Sequence, residues 1–279
     1  MPTLVARGSE LPAASQGMLR ATRQLLRRKE RQLARRFLAE GRQATSEALR
    51  RPGTVVEIIV ADDSVGRHLD LLNTASDADV RIAVAPASAV AELAATVTPQ
   101  GLIAICQMID VPIDEALSNN PRLVVLCDQV RDPGNLGTVI RCADAFGADA
   151  VLISRDSVDI YNAKTVRATT GSLFHLPVAI AVDLADAVRL AREVGLRVFG
   201  ADGSASSTVD DLARSGELAQ PTLWVLGNEA WGLVPQHVSL FDRLIALPIY
   251  GRAESLNLST AAAVLLYASA TAQRADLSG

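Results

Sequence analysis

The chain has 279 residues, enough for one large domain or two ordinary ones, and its 49% hydrophobic residues and mean hydropathy of +0.22 can fill a sizeable core. This composition excludes a disordered chain, no apolar run has the length of a membrane span, and no signal-peptide pattern precedes the basic N-terminal segment. We therefore expect a cytoplasmic protein without a membrane partner. Three scattered cysteines without a CxxC spacing and three scattered histidines indicate buried thiols and no metal site.

The charge is distributed unevenly along the chain. The net charge is −4, yet residues 20–51 contain eleven basic and three acidic residues, a net charge of +8, which leaves −12 for the rest. A basic arm on an acidic body is the asymmetry expected of a segment that binds a polyanion. The alternative is an arginine-rich helix face that only contacts solvent.

The first half of the chain predicts a small α/β unit. Residues 1–15 lack periodicity and are expected to form a flexible tail. Helices are predicted at 18–37, 41–49, 66–75 and 87–96, and strands at 55–61, 81–85 and 101–108. Residues 16–109 would form this domain, and the polar stretch 110–122, which contains Pro112 and Pro121, is the best candidate for a linker.

The second half, residues 123–279, predicts a larger α/β domain. It opens with an uninterrupted apolar strand at 123–130, typical of a buried parallel sheet. Further strands are predicted at 151–154, 177–182, 197–201, 223–227 and 244–249, with helices at 136–146, 162–170, 184–194 and 255–272. The alternation of strands and helices indicates a covered sheet.

Three segments of this domain place polar residues and glycines at the ends of apolar runs, where α/β proteins bind ligands. The first is DPGNLGTVIRCADAFGA at 132–148, in which Asn135 is placed to cap a helix and Arg141 lies within its first two turns. The second is LGNEAWGL at 226–233, with Glu229 in a glycine-flanked loop. Each also has a plain structural interpretation, as a capped helix with a surface arginine or as a polar turn.

The third segment, LPIYGRAESLNLSTAAAVLLY at 247–267, supplies loop backbone and then begins a long apolar helix. Ser255 is a plausible cap of that helix, with Asn257 and Ser259 in its first turns. Helix starts of this kind bind anions or carboxylates, although a simple capped core helix is the alternative. The chain contains no GxGxxG, Walker, HExxH or GxSxG pattern, so hydride transfer and hydrolysis have little support.

At these residues the chain resembles the SpoU/TrmH family of RNA ribose 2'-O-methyltransferases in the SPOUT superfamily. Its three motifs are matched in order between about Leu123 and Ala272, and residues 166–178 are similar to the stretch between the first two. Ala230-Trp231 departs from the family, which more often has glycine followed by a polar residue. The matched positions are Asn135, Gly137 and Arg141; Gly227, Asn228, Glu229 and Gly232; and Pro248, Gly251, Ser255, Leu256, Asn257 and Ser259.

The resemblance implies a C-terminal methyltransferase domain with a deep trefoil knot, S-adenosyl-L-methionine as cofactor, a homodimer whose active site draws on both subunits, and an N-terminal substrate-recognition domain. It implies a catalytic set of Arg141, Asn135, Glu229, Ser255 and Asn257, with Glu229 fixing Arg141 or the RNA. The cofactor would be held around Leu226, Gly227, Asn228, Gly232, Leu247, Ile249, Gly251 and Leu256. RNA contacts are expected from Arg20, Arg23, Arg27, Arg28, Arg31, Arg35 and Arg167.

The function implied is methyl transfer to a ribose 2'-hydroxyl, with 23S rRNA as the favoured substrate because of the large N-terminal unit. Two alternatives stay open at this point. One is a tRNA ribose methyltransferase, and the other is a non-catalytic RNA-binding or ribosome-assembly protein with the same fold.

Overall fold

The computed structural model describes residues 11–94, 96 and 98–277. The chain forms two compact units: Met1–Ile109 with Asp159–Phe174, and Asp110–Val158 with His175–Gly279. The two units correspond to the predicted N-terminal and C-terminal α/β domains, with one difference. The segment Asp159–Phe174, which follows the first strand of the predicted C-terminal domain, belongs to the first unit.

The helices and strands follow in chain order. Up to residue 109 they are α1 (Gln16–Gln24), α2 (Arg28–Ala34), β1 (Arg36–Glu40), α3 (Arg42–Arg50), β2 (Val55–Ala61), α4 (Leu69–Asp77), β3 (Arg81–Ala85), α5 (Ala87–Ala91) and β4 (Leu102–Gln107). Beyond it they are α6 (Ile113–Ala116), β5 (Leu123–Cys127), α7 (Pro133–Phe146), β6 (Ala150–Ser154), α8 (Ala163–Ala168), β7 (Val178–Val182), α9 (Leu184–Glu193), β8 (Arg197–Ala201), β9 (Ser207–Thr208), α10 (Val209–Ser215), β10 (Thr222–Leu226), β11 (Arg243–Ala246) and α11 (Leu258–Leu277).

The first unit is built on a four-stranded mixed sheet of order β1-β4-β2-β3. Strand β4 is antiparallel to both β1 and β2, whereas β2 and β3 are parallel. Leu19 and Leu25 of the N-terminal segment pack with Leu38, Ile59 and Ile103 from the sheet in one apolar cluster. The apolar side of the basic arm therefore packs on one face of the sheet and forms the core there.

The N-terminal segment differs from the prediction. The single helix predicted at 18–37 is wrong, because a turn after Gln24 separates α1 from α2 and Arg35 adopts a left-handed backbone (φ 51°) that ends α2. Phe37, Leu38 and Ala39 then become buried in β1. The end of the predicted tail is also paired, since Ala14 N–H donates to Val84 O (2.7 Å); residues 1–10 lie outside the described residues.

Residues Asp159–Phe174 join the first unit through an aromatic cluster and an ion pair. The ring of Phe37 lies 4.6 Å from that of Tyr161 and 6.1 Å from that of Phe174, measured between centroids. The Arg31 guanidinium donates to Asp159 Oδ2 (2.6 Å) and to the carbonyls of Leu25 and Leu26 (both 2.9 Å). This buried arginine thus fixes the turn between α1 and α2.

The second unit contains a seven-stranded parallel sheet of order β7-β6-β5-β10-β8-β11-β9. Strand β10 runs between β5 and β8, and its five residues are all buried. The fully buried Trp224 of β10 donates its indole N–H to Ser269 Oγ of α11 (2.9 Å), which ties the C-terminal helix to the sheet. The trefoil knot implied by the resemblance stays a prediction.

Two further segments of this unit differ from what the sequence predicted. The proposed linker 110–122 is packed, because Ala116 and Leu117 are buried in the second core and Val111 N–H donates to Val178 O (3.0 Å). Strand β9 and helix α10 were not predicted, although Thr208 and Asp211 form a capping box at the start of α10. Among the described residues no helix has the length and apolar character needed to cross a membrane.

Candidate functional site

A cavity of about 480 Å³ lies at the carboxyl ends of β8, β10 and β11 in the second unit, next to the N-terminus of α7. The register pairs Leu226 with Cys127 and with Ala201, so β5, β8 and β10 end at the same level. Loops that leave neighbouring parallel strands at one edge create the crevice where open α/β sheets bind ligands. All three polar segments of the sequence meet here.

The first segment reaches the cavity through the N-terminus of α7. Its cap is Asp132, whose carboxylate accepts from Asn135 N–H (2.8 Å), and Pro133 occupies the first helical position. The prediction that Asn135 caps this helix is therefore wrong by three residues. Since Asp132 does the capping, the amide of Asn135 is left to make contacts outside its own helix.

Glu229 connects the second segment to α7. Its carboxylate accepts from the backbone N–H groups of Arg131 (3.1 Å) and Asp132 (3.0 Å) and from Asn135 Nδ2 (3.2 Å). Partial burial would raise the pKa of this carboxyl, but the hydrogen bonds from Arg131 and Asp132 outweigh burial and hold the pKa below its ordinary value. Glu229 is thus an ionised anchor for the first helical turn, and its contact with Asn135 gives it a positioning role.

The loop that carries Glu229 is a closed turn. Asn228 and Gly232 exchange backbone hydrogen bonds of 2.9 Å in both directions, Asn228 Nδ2 donates to Gln129 O (2.7 Å), and Asn228 Oδ1 accepts from Ala230 N–H (2.8 Å). Gly227 precedes this turn, and a Cβ built on it would come within 2.5 Å of Gly232 O and 2.6 Å of Leu233 N. Only glycine fits there, because the opposing atoms belong to the backbone.

The third segment completes the site through Asn257. Its amide nitrogen donates to Asn135 Oδ1 (3.0 Å), and its oxygen accepts from Ser259 N–H (2.9 Å) and from Ser259 Oγ (2.6 Å). Asn257 therefore occupies the cap position of α11, which begins at Leu258. The prediction that Ser255 caps this helix is wrong, and Ser255 lies in the preceding loop on the cavity wall.

Most residues of the predicted site line this cavity. They are Asn135, Leu226, Gly227, Asn228, Glu229, Gly232, Leu247, Ile249, Ser255, Leu256 and Asn257. Gly251 and Arg141 do not line it. Sequence reasoning missed Ala201, Asp202 and Gly203 at the end of β8, although an Asp-Gly pair after a predicted strand was a usable signal.

Arg141 lies on the exposed surface of α7, six residues beyond Asn135. Six residues correspond to about 9 Å along a helix and about 120° of rotation away from Asn135. The guanidinium is thus carried by the same helix that enters the site but is not part of the cavity wall.

The arginines predicted to contact RNA divide into three groups. Arg31 is only 4% exposed and is used structurally, so its assignment to RNA is wrong. Arg23 is paired with Glu92, and Arg167 lies 3.9 Å from Glu40. The remaining predicted arginines are exposed; they are Arg20, Arg27, Arg28 and Arg35.

The cavity combines apolar and polar walls. Leu226, Ile245 and Leu265 supply an apolar surface, while loop backbone, Asp202 and Asn257 supply hydrogen-bonding groups. Such a lining suits a ligand that has both a flat ring and polar groups. In the described part of the chain no group of three or more His, Cys, Asp or Glu side chains is arranged to hold a metal ion.

Comparison with known proteins agrees with this geometry. The SpoU rRNA methylase family matches residues 122–267, and the MRM3-like substrate binding domain matches residues 18–104. The 23S rRNA (guanosine(2553)-2'-O)-methyltransferase RlmP of Bacillus subtilis (strain 168) is 33% identical over 258 residues, which cover 92% of this chain and 98% of that protein.

Two solved structures of AdoMet complexes are also similar. The SpoU methyltransferase AviRb from Streptomyces viridochromogenes with AdoMet has a TM-score of 0.80 at 29% identity, covering 94% of this chain and 99% of its own. The AdoMet-bound rRNA methyltransferase from Sinorhizobium meliloti has a TM-score of 0.80 at 27% identity, covering 94% and 97%. These matches confirm the predicted resemblance, and the chain belongs to the SpoU rRNA methylase family.

Proposed function

We propose that this protein is an S-adenosyl-L-methionine-dependent methyltransferase that methylates a ribose 2'-hydroxyl of 23S rRNA in the cytoplasm. One observation carries the proposal: residues from three distant segments, Glu229, Asn135 and Asn257, form a continuous hydrogen-bonded chain on the wall of one cavity. The named relatives favour rRNA over tRNA and a methyltransferase over a non-catalytic scaffold.

The cavity fits the cofactor. Gly227 packs directly against the backbone of Gly232 and Leu233, which shapes the loop beside the cavity, and Leu226, Leu247 and Leu256 line the cavity. The loop backbone would bind the adenine and ribose, and the backbone hydrogen bonds between Asn228 and Gly232 would keep the loop closed. When bound, S-adenosyl-L-methionine supplies an electrophilic methyl group on its sulfonium.

The chain's own residues would bind and orient the RNA ribose. The Asn135 side chain is hydrogen-bonded to both Glu229 and Asn257. Because it is already positioned, little conformational entropy is lost when substrate binds. A guanidinium keeps its proton at any physiological pH, so Arg141 is better suited to clamp a neighbouring phosphate and stabilise the developing alkoxide than to remove a proton.

We further infer a homodimer in which each site uses both subunits. Arg141 is exposed on α7 and does not line the cavity of its own chain. A second copy that packs beside α7 would bring a guanidinium to the cavity from outside. The exposed arginines of the basic arm, Arg20, Arg27 and Arg28, would add phosphate contacts in the first unit.

The direct test uses ribosomal RNA from a strain that lacks this gene and S-adenosyl-L-methionine with a labelled methyl group. Wild-type protein should place the label on the 2'-oxygen of one nucleotide of 23S rRNA and leave tRNA unlabelled. Arg141→Ala should abolish transfer while calorimetric cofactor binding stays near the wild-type value. Label on a base, label on tRNA alone, or full activity of Arg141→Ala would contradict the proposal.

The dimer is tested by mixing two impaired variants at limiting S-adenosyl-L-methionine. Arg141→Ala lacks the guanidinium, and Gly227→Ala, whose Cβ would displace the loop beside the cavity, binds the cofactor more weakly. If each site combines one chain's cavity with the other chain's arginine, co-expression should restore activity above that of either variant alone. No restoration in mixed dimers isolated by two affinity tags would place Arg141 in its own chain's site.

A further inference from the structure

Trp231 has a large, exposed apolar side chain in the loop of residues 228–232, which borders the cavity. It is 56% exposed, whereas the other tryptophan of the chain, Trp224, is fully buried. Among the described residues it takes part in no hydrogen bond and no ring contact. Exposing an indole costs free energy unless a ligand or partner covers it.

The loop holds the backbone of Trp231 in a closed turn. Trp231 lies between Asn228 and Gly232, whose two reciprocal backbone hydrogen bonds close the turn, and Ala230 N–H donates to Asn228 Oδ1 (2.8 Å). Gly232 adopts a left-handed backbone (φ 69°) that reverses the chain directly after Trp231. The backbone of Trp231 is therefore held beside the cavity by a closed turn, and its neighbours in that turn, Ala230 and Gly232, line the cavity.

The loop around Trp231 combines an aromatic side chain with charged and small residues. Its neighbours in the loop are the carboxylate of Glu229 and the small residues Ala230 and Gly232. Arg131 is exposed, and its backbone N–H donates to the Glu229 carboxylate (3.1 Å). An exposed aromatic side chain, with an exposed arginine whose backbone is bonded to the same loop, suits a base and its phosphate in single-stranded RNA.

We propose that Trp231 stacks on a nucleobase of the RNA substrate next to the target ribose, with Arg131 contacting the adjacent phosphate. The inference rests on the proposed function, because it assumes that RNA is bound at this cavity. Stacking would hold an unpaired nucleotide over the site and leave its ribose facing Asn135 and the cofactor.

The binding test uses the fluorescence of the two tryptophans. Two probes of equal charge and length are titrated into the full-length protein with S-adenosylhomocysteine present: an adenine octaribonucleotide and an octamer of abasic nucleotides. The adenine octamer should quench the exposed indole, and the abasic octamer should not. Trp231→Phe leaves only the buried Trp224 as fluorophore, so quenching should disappear in that variant.

The activity test compares Trp231→Ala with Trp231→Phe on rRNA from the strain lacking the gene. Loss of one stacked base should raise the KM for RNA about 5- to 150-fold in Trp231→Ala, and the phenylalanine variant should recover most of the loss. Cofactor affinity should be unchanged in both variants. Val194→Ala, which truncates another exposed apolar side chain of this unit, is the matched control.

Three results would overturn the inference. They are equal quenching by both octamers, a Trp231→Ala variant with wild-type KM, and a Trp231→Ala variant that becomes monomeric in sedimentation, since the last would make Trp231 a subunit contact. Each leaves the proposed function standing if the wild type methylates rRNA. Failure of the wild type to methylate would refute the proposed function and leave the octamer comparison readable.

Discussion

Gly227 offers the sharpest test of the cavity. Replacing it with alanine adds one Cβ that would lie 2.5 Å from Gly232 O and 2.6 Å from Leu233 N. Ordinary van der Waals contacts of a Cβ begin near 3.4 Å, and backbone atoms cannot rotate away as a side chain can. The turn closed by Asn228 and Gly232 must therefore open or move.

The magnitude follows from overpacking. Inserting a methyl group into a filled space costs about 1–3 kcal/mol. If the loop shifts to relieve the contact, the cost reduces the binding free energy of S-adenosyl-L-methionine. The cofactor should then bind about 5- to 150-fold more weakly, since about 1.4 kcal/mol is a factor of ten. If the loop holds, the cost appears as stability instead, and the melting temperature should fall by roughly 2–4 °C per kcal/mol.

The assay is calorimetric titration with S-adenosyl-L-methionine, paired with thermal unfolding followed by circular dichroism. Gly66→Ala is the matched control, because a Cβ on Gly66 would meet open space in the first unit and should change neither measurement. A Gly227→Ala protein with wild-type cofactor affinity and wild-type melting temperature would refute the description of this loop.

Three further predictions concern Glu229 and the basic arm. Glu229→Gln should lower kcat because it loosens Asn135. The pKa of Glu229 in the folded protein lies below its ordinary value of 4.5, so the stabilisation by its carboxylate is present above pH 4.5 and is lost as the pH falls through the folded pKa. The variant should therefore lose less stability in acid, as measured by urea titrations. In the arm, Arg31→Ala should destabilise the fold by about 3–5 kcal/mol, because it leaves Asp159 without its buried partner. Replacing three exposed arginines with glutamine should instead preserve the fold and reduce the slope of log affinity for RNA against log salt by about 2; an unchanged slope would remove them from the RNA interface. They are Arg20, Arg27 and Arg28.

The sequence was most informative where short-range patterns decide structure. Strands such as β2, β3 and β8 were predicted at their observed bounds, because continuous apolar runs flanked by polar residues have few other solutions. The three polar segments at strand ends line one cavity, because parallel strands bring their carboxyl ends to one edge.

The errors fell where tertiary contacts override local preference. Residues 18–37 have helical periodicity, yet Phe37 enters a strand because its ring packs between Tyr161 and Phe174, more than a hundred residues away. The same contacts place Asp159–Phe174 in the first unit. No local pattern reports a partner at that separation.

By itself the sequence determined that this chain has two α/β units, a basic arm and a family of motifs that gather at one sheet edge. Only the tertiary structure decided what each polar residue does there. Asn135 and Ser255 looked like helix caps, but Asp132 and Asn257 do the capping, and Asn135 thereby becomes the link between Glu229 and Asn257. The physical reason is that a side chain's hydrogen-bond partner depends on which loops the sheet places side by side, and the spacing of residues along one segment does not contain that information.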